Sequence, residues 1–291
     1  MTWFLWLLVA LLAIAVVVCG VVLAFRAHIE GAFLLQPDRS TAPMPGCHAR
    51  ALPSGALLYE LPLADRLRLR VPADAGAGDL GPRPLLFLKG NAGTVAGQRP
   101  LLDRLAARGY RVLALEYRGF GDCAAAVGRP TADTALQDAR EAWATLTIGD
   151  QERAVLAGFS LGGGLVGELL RRDGARPAQV VLLNTFSSLR AATKSALGTG
   201  LTGRVAAALC SDWDATAGVA AYSASASASA PRSVLVVRAE DDALFDANHA
   251  HRLFGAIDRR AKAVGVGLRD GGHSDSLLQH ADTWMPGLLD A

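Results

Sequence analysis

Six short apolar runs punctuate this 291-residue chain, and they limit what it can fold into. Pro84 to Leu88, Val112 to Leu115, Ala154 to Phe159, Val180 to Leu183 and Val234 to Val237 are apolar at nearly every position, and Val264 to Leu268 is a weaker run diluted by glycine. A strand apolar on both faces belongs inside a parallel sheet covered by helices on each side. Helical patterns lie between the runs, at Leu101–Arg108, Ala132–Leu146, Leu161–Arg172, Ala247–Ile257 and Ser276–Leu289. Strand and helix in alternation predict an α/β architecture with a mostly parallel central sheet. Leu67, Leu69 and Val71, alternating with Arg66, Arg68 and Arg70, read as a half-exposed edge strand. Ser187 to Asp214 breaks the alternation with two helical stretches and reads as a small lid, whereas the Ser-Ala repeat from Ser223 to Ala230 reads as a surface loop.

The front of the chain is different. From Trp3 to Phe25 only Gly20 falls outside the apolar set, and no residue is charged. Such a run, about 35 Å long as a helix, predicts a retained single-pass membrane anchor over residues 1–25, touching lipid through residues 3–25. Met1 and Thr2 supply no basic n-region for a cleaved signal peptide. The expected localisation is therefore the membrane, with the side left open, because Arg26 and Arg39 are too small a bias to orient the helix. Residues 26–61, with Pro37, Pro43, Pro45 and Pro53, read as an approach segment, and 62–291 as the folded domain with 187–214 as its lid.

A net charge of +2 and 6% aromatic residues argue against a nucleic-acid partner. The four cysteines include no CxxC pair, and their spacing suggests neither a disulfide framework nor a metal site. No metal or organic cofactor is expected.

Chemistry is concentrated at four strand ends. Gly158-Phe159-Ser160-Leu161-Gly162 joins an apolar strand to an apolar helix. A Gly-x-Ser-x-Gly string is weak alone, but in this setting it predicts a nucleophile elbow that exposes the Ser160 hydroxyl and leaves the Leu161 N–H at a helix N-terminus. A serine needs a base to take its proton and an acid to hold that base. Glu240-Asp241-Asp242 follows one strand and Gly271-Gly272-His273 follows the last, so the order Ser160, Asp241, His273 fits a hydrolytic triad. Asp241 is preferred as the acid because Glu240 and Asp242 would alternate away from it on an extended turn, with Asp242 the nearest competitor. Lys89-Gly90-Asn91-Ala92-Gly93 closes another strand in a glycine-rich turn, and the Asn91 N–H is the natural second oxyanion donor beside Leu161. The Lys89 side chain is expected to point to solvent.

On these motifs the chain from roughly Leu34 to Leu289 resembles the α/β-hydrolase superfamily, and within it the membrane-anchored abhydrolase-domain-13 and bud-emergence-like serine hydrolases. The residues that carry the likeness are Gly90-Asn91-Ala92-Gly93, Glu116-Tyr117-Arg118-Gly119-Phe120-Gly121, Ser160-Leu161-Gly162-Gly163, Glu240-Asp241-Asp242 and Gly271-Gly272-His273-Ser274-Asp275. The resemblance implies Ser160 as nucleophile, Asp241 as acid, His273 as base, and Asn91 and Leu161 as oxyanion donors. Lys89 stands where that family has His, and Arg238 replaces a small glycine. The function expected is cleavage of an ester, thioester or related acyl bond of a small-molecule substrate. The competing readings are a non-catalytic membrane scaffold or binding protein of the same fold, and a small-peptide serine peptidase.

Overall fold

The computed structural model describes residues 2–29, 35–62, 81–125 and 130–289. Its centre is an eight-stranded sheet. The strands are β1 (His48–Ala51), β2 (Leu57–Glu60), β3 (Pro84–Leu88), β4 (Arg111–Glu116), β5 (Val155–Phe159), β6 (Gln179–Leu183), β7 (Ser233–Ala239) and β8 (Lys262–Leu268). They lie in the order β1-β2-β4-β3-β5-β6-β7-β8. The β1–β2 and β2–β4 pairs are antiparallel and every later pair is parallel. β3, β5 and β6 are buried at every residue, as a sheet covered on both faces requires. One face packs its side chains, among them Leu86, Leu156, Val180 and Val234, against Leu165 and Leu169. The other packs Phe87, Val155, Val181 and Leu235 against Leu102 and Trp284. This confirms the predicted α/β sheet with helices on both sides.

The helices are α1 (Thr2–Ile29), α2 (Arg99–Ala107), α3 (Ala132–Ala144), α4 (Ile148–Arg153), α5 (Leu161–Arg172), α6 (Leu189–Leu197), α7 (Leu201–Leu209), α8 (Ala215–Ala224), α9 (Ala247–Gly255), α10 (Gly272–Gln279) and α11 (Ala281–Trp284). α6 and α7 form the excursion expected at 187–214, closed at its base by a bridge between Ser188 and Asp214. α8 takes up a stretch the sequence left without structure. It packs on α5 at glycine-to-glycine distance, since a Cβ on Gly218 would lie 2.1 Å from the Gly167 carbonyl oxygen.

Two expectations about the N-terminal part need correction. Among the described residues, no helix is long and apolar enough to cross a membrane. The anchor over residues 1–25 and the membrane localisation are therefore withdrawn. Residues 26–61 are also more than an approach segment, because β1 and β2 extend the central sheet from within it. The edge strand expected around Leu67 to Val71 lies outside the described residues.

Candidate active site

The C-terminal ends of the six parallel strands, β3 to β8, converge on one edge of the sheet, where open α/β sheets carry their sites. Lys89, Glu116, Ser160, Asn184, Asp242 and His273 each lie within a few residues of the end of β3, β4, β5, β6, β7 and β8, respectively.

Ser160 sits between β5 and α5 with φ 52 and ψ −115, a backbone conformation that costs energy for any residue carrying a Cβ. The flanking glycines let the turn close. A Cβ on Gly158 would fall 2.4 Å from the Gly162 carbonyl group, and one on Gly162 would fall 1.9 Å from the Leu88 carbonyl oxygen. The turn presents the Ser160 hydroxyl to His273, with Oγ 2.9 Å from Nε2. His273 Nδ1 lies 2.7 Å from Asp242 Oδ2. A carboxylate on Nδ1 fixes the tautomer: Nδ1–H donates to Asp242, and Nε2 is left to accept from the Ser160 hydroxyl. Asp242 is itself held, because its Oδ1 accepts the Leu244 and Phe245 N–H groups at 2.8 and 3.1 Å. The Phe159 and Phe245 rings flank the imidazole at centroid distances of 5.2 and 5.3 Å.

The carboxylate that reaches His273 is thus not the one expected. Asp241 accepts the Gly272 N–H at 3.0 and 3.1 Å and does not reach the imidazole. β7 ends at Ala239 and the chain turns over Glu240 and Asp241, so the two-residue alternation assumed for an extended segment no longer applies. The turn carries Asp242 inward, its side chain 3% exposed, and leaves Asp241 outside to tie down the start of α10.

The loop after β3 passes beside the elbow. A Cβ on Gly90 would press on the Phe159 ring at 3.1 Å and on Ser160 Cβ at 3.4 Å, so only glycine fits there without displacement. Asn91 follows in that loop, its carbonyl accepting the Gln36 N–H at 2.9 Å. Leu161 is the first residue of α5, where backbone N–H groups have no partner inside the helix.

Lys89 departs from the expectation that it points to solvent. It is fully buried, its Nζ donating to the Gly93 carbonyl at 2.9 Å and lying 3.5 Å from Glu116 Oε1. Its ammonium also lies 3.7 Å from the centroid of the Phe120 ring. Burial pulls its pKa down to about 8, with Glu116 acting in the opposite direction. Burial raises the Glu116 pKa, and Lys89 opposes that shift. Glu116 Oε2 accepts the Val95 N–H at 2.7 Å, and the Tyr117 hydroxyl donates to the Lys89 carbonyl at 2.8 Å. The pair therefore ties both ends of the 89–95 loop to β4.

Asn184 was not singled out in the sequence. It adopts φ 41 directly after β6. Its side-chain amide donates to the His273 carbonyl at 2.8 Å and to Ser276 Oγ at 3.0 Å, and its Oδ1 accepts the Ala239 N–H at 2.8 Å. One buried side chain thereby joins the loops that carry Asp242 and His273. The readable signal was an Asn placed where an apolar strand ends, a residue type that tolerates positive φ.

Residues 83–202 match the family described as the alpha/beta hydrolase fold. The chain has the α/β-hydrolase fold. A stretch of 118 residues is 35% identical to a lysophosphatidylserine lipase, ABHD12, of Xenopus tropicalis, covering 38% of this chain and 30% of that protein. An uncharacterized protein of Escherichia coli K12, YfhR, is 25% identical over 247 residues, covering 82% of this chain and 81% of its own. Among solved structures, the Pyrococcus furiosus esterase Pf2001 superposes with a TM-score of 0.60 at 13% identity, covering 88% of this chain and 96% of that one. The chain spans less than half the length of several curated relatives that it matches.

Proposed function

We propose that this hydrolase cleaves an ester, thioester or related acyl bond of a small molecule, with Ser160 as nucleophile, His273 as general base and Asp242 as the acid that holds it. The observation that carries the reading is the unbroken hydrogen-bonded relay from Ser160 Oγ through His273 to Asp242, at 2.9 and 2.7 Å. His273 Nε2 takes the hydroxyl proton as Oγ attacks the carbonyl carbon, and Asp242 stabilises the imidazolium that forms. The Leu161 and Asn91 N–H groups receive the developing oxyanion. His273 then returns its proton to the leaving group. Water, activated by the same imidazole, releases the acyl group from Ser160. The esterase and lipase names of a structural neighbour and a sequence relative support an acyl substrate over a peptide.

Hydrolysis of p-nitrophenyl butyrate tests the assignment of the acid. Replacing a relay acid by its amide presents the wrong hydrogen-bonding partner to Nδ1, a change that costs about 10⁴-fold in kcat in a well-studied serine protease. Asp242→Asn is expected to lose activity on that scale, and Asp241→Asn to retain it within about tenfold. The reverse ranking would refute the relay as drawn.

A further inference from the structure

α6 and α9 enclose a groove of about 320 Å³. It is lined by Arg190 and Lys194 on one side and by Arg252, Asn248 and His249 on the other, with Ser188, Ser195 and Asp246 at its margins. The three cations differ from the arginines of this surface that ion pairs neutralise. Arg99, Arg104, Arg140, Arg171, Arg172 and Arg260 each pair with a carboxylate. Among the described residues, no hydrogen-bonding or ion-pair partner is found for the side chains of Arg190, Lys194 or Arg252. Asp246 is the one acid lining the groove, and its carboxylate is engaged by the Asn248 backbone and side-chain N–H groups at 2.9 and 3.2 Å. With His249 neutral, the lining carries three positive charges against one negative.

His249 is the built part of this groove. It is 3% exposed, its Nδ1 lies 3.1 Å from Ser187 Oγ and accepts the Ser187 N–H at 3.1 Å, and its Nε2 lies 3.3 Å from Ser195 Oγ. Burial lowers its pKa, and Arg252 adds to that shift while Asp246 and Asp242 oppose it. Because Nδ1 accepts from the backbone, the neutral ring carries its proton on Nε2, at the Ser195 side. The groove is also close to the chemistry. The Phe245 ring contacts His249 at a centroid distance of 5.4 Å and His273 at 5.3 Å, so the two imidazoles are at most about 11 Å apart. A groove holding uncompensated cations at that distance attracts an anion and orients whatever is attached to it.

From this geometry we infer that the α6–α9 groove is a subsite for a phosphate group carried by the ester substrate, held by Arg190, Lys194 and Arg252 while the acyl bond lies at Ser160. The inference rests on the acyl-hydrolase reading above and adds the substrate's charge class to it.

The test compares two esters with the same acyl chain, 1-butyryl-glycerol and 1-butyryl-glycerol 3-phosphate. The wild-type protein is expected to favour the phosphorylated ester by about tenfold or more in kcat/KM, and the preference is expected to shrink as salt is raised. In the triple variant Arg190→Gln/Lys194→Gln/Arg252→Gln the ratio of the two kcat/KM values is expected to fall to near one, while Arg260→Gln, outside the groove, keeps the wild-type ratio. If the neutral ester is hydrolysed but no preference exists, or the preference survives in the triple variant, the subsite is overturned and the hydrolase reading stands. If neither ester is hydrolysed, the hydrolase reading fails, and binding is read separately by titrating inorganic phosphate into the Ser160→Ala protein and following the His249 ring nitrogens by NMR. A saturable shift that the triple variant lacks supports an anion site, and no shift overturns it. A shift without any preference between the esters assigns the groove to free phosphate and overturns its role toward substrate.

Discussion

Replacing Lys89 by Met would remove the cation from a buried pair and leave Glu116 without its partner. Both side chains are at most 2% exposed, and the ammonium also donates to the Gly93 carbonyl. Removing one member of a buried pair costs about 3–5 kcal/mol, because the remaining charge keeps its desolvation penalty. At about 2–4 °C per kcal/mol for a domain of this size, the melting temperature should fall by about 10 °C. Neutralising the orphan as well, in Lys89→Met/Glu116→Gln, should recover about half of that loss. The pH dependence adds a second, signed test. The folded-state pKa of Lys89, about 8, lies below its ordinary 10.5, so the folded protein holds fewer protons than the unfolded chain between those values. The stability of the wild type relative to Lys89→Met should therefore rise from pH 8 to pH 10.5, by up to about 3 kcal/mol. The neutral amine retains N–H donors for Gly93 and Glu116, whereas Met has none. Thermal unfolding by circular dichroism at pH 7, 8, 9 and 10 measures both effects. A Lys89→Met protein that melts with the wild type at pH 7, or a difference that shrinks as the pH rises, would refute the reasoning.

Three further outcomes follow from the site. Gly162→Ala forces a methyl to within 1.9 Å of the Leu88 carbonyl oxygen, so the elbow must move. Esterase activity should fall by about 100-fold or more and stability by about 1–3 kcal/mol, read by p-nitrophenyl butyrate turnover and urea unfolding. Asn184→Ala removes the side chain that joins the Asp242 and His273 loops and leaves the Ala239 N–H without its acceptor. A loss of about 2–4 kcal/mol of stability is expected, with kcat reduced more than KM is raised. Asp138→Asn weakens the bidentate pair with Arg118, whose two nitrogens lie 2.6 and 2.8 Å from a fully buried carboxylate oxygen. Stability should drop by about 3 kcal/mol or more, with turnover of the folded fraction retained.

The inner strands were legible because burial on both faces leaves a contiguous apolar run in the sequence, as in Leu85 to Leu88 or Val180 to Leu183. β1 was not, since its four residues are all exposed and His-Ala-Arg-Ala carries no such run. α8 was also missed. Five of its ten residues are Ala, so its buried face (Ala215, Val219, Tyr222) contrasts little with the other, and it is held by close backbone approach at Gly167 and Gly218, which hydrophobic periodicity cannot report. In the site, Ser160 and His273 were readable because each lies at a strand end framed by glycines. The choice between Asp241 and Asp242 turned on a single reversal of the chain after Ala239, which decides inward from outward and leaves no mark in composition. Lys89 was misplaced because a lone lysine is ordinarily solvated. What buries it is Glu116, at the end of a neighbouring strand 27 residues later, a long-range pairing that local sequence does not express.

The central claim is that Ser160 is the nucleophile of a hydrolytic relay, and covalent capture tests it most directly. The full-length protein is treated with a fluorophosphonate probe, digested, and the modified peptide identified by mass spectrometry. A single phosphonyl adduct on Ser160 is predicted, lost in Ser160→Ala and slowed by more than about 100-fold in His273→Ala. Folded wild-type protein that takes up no probe, or an adduct on another serine that persists in Ser160→Ala, would contradict the account.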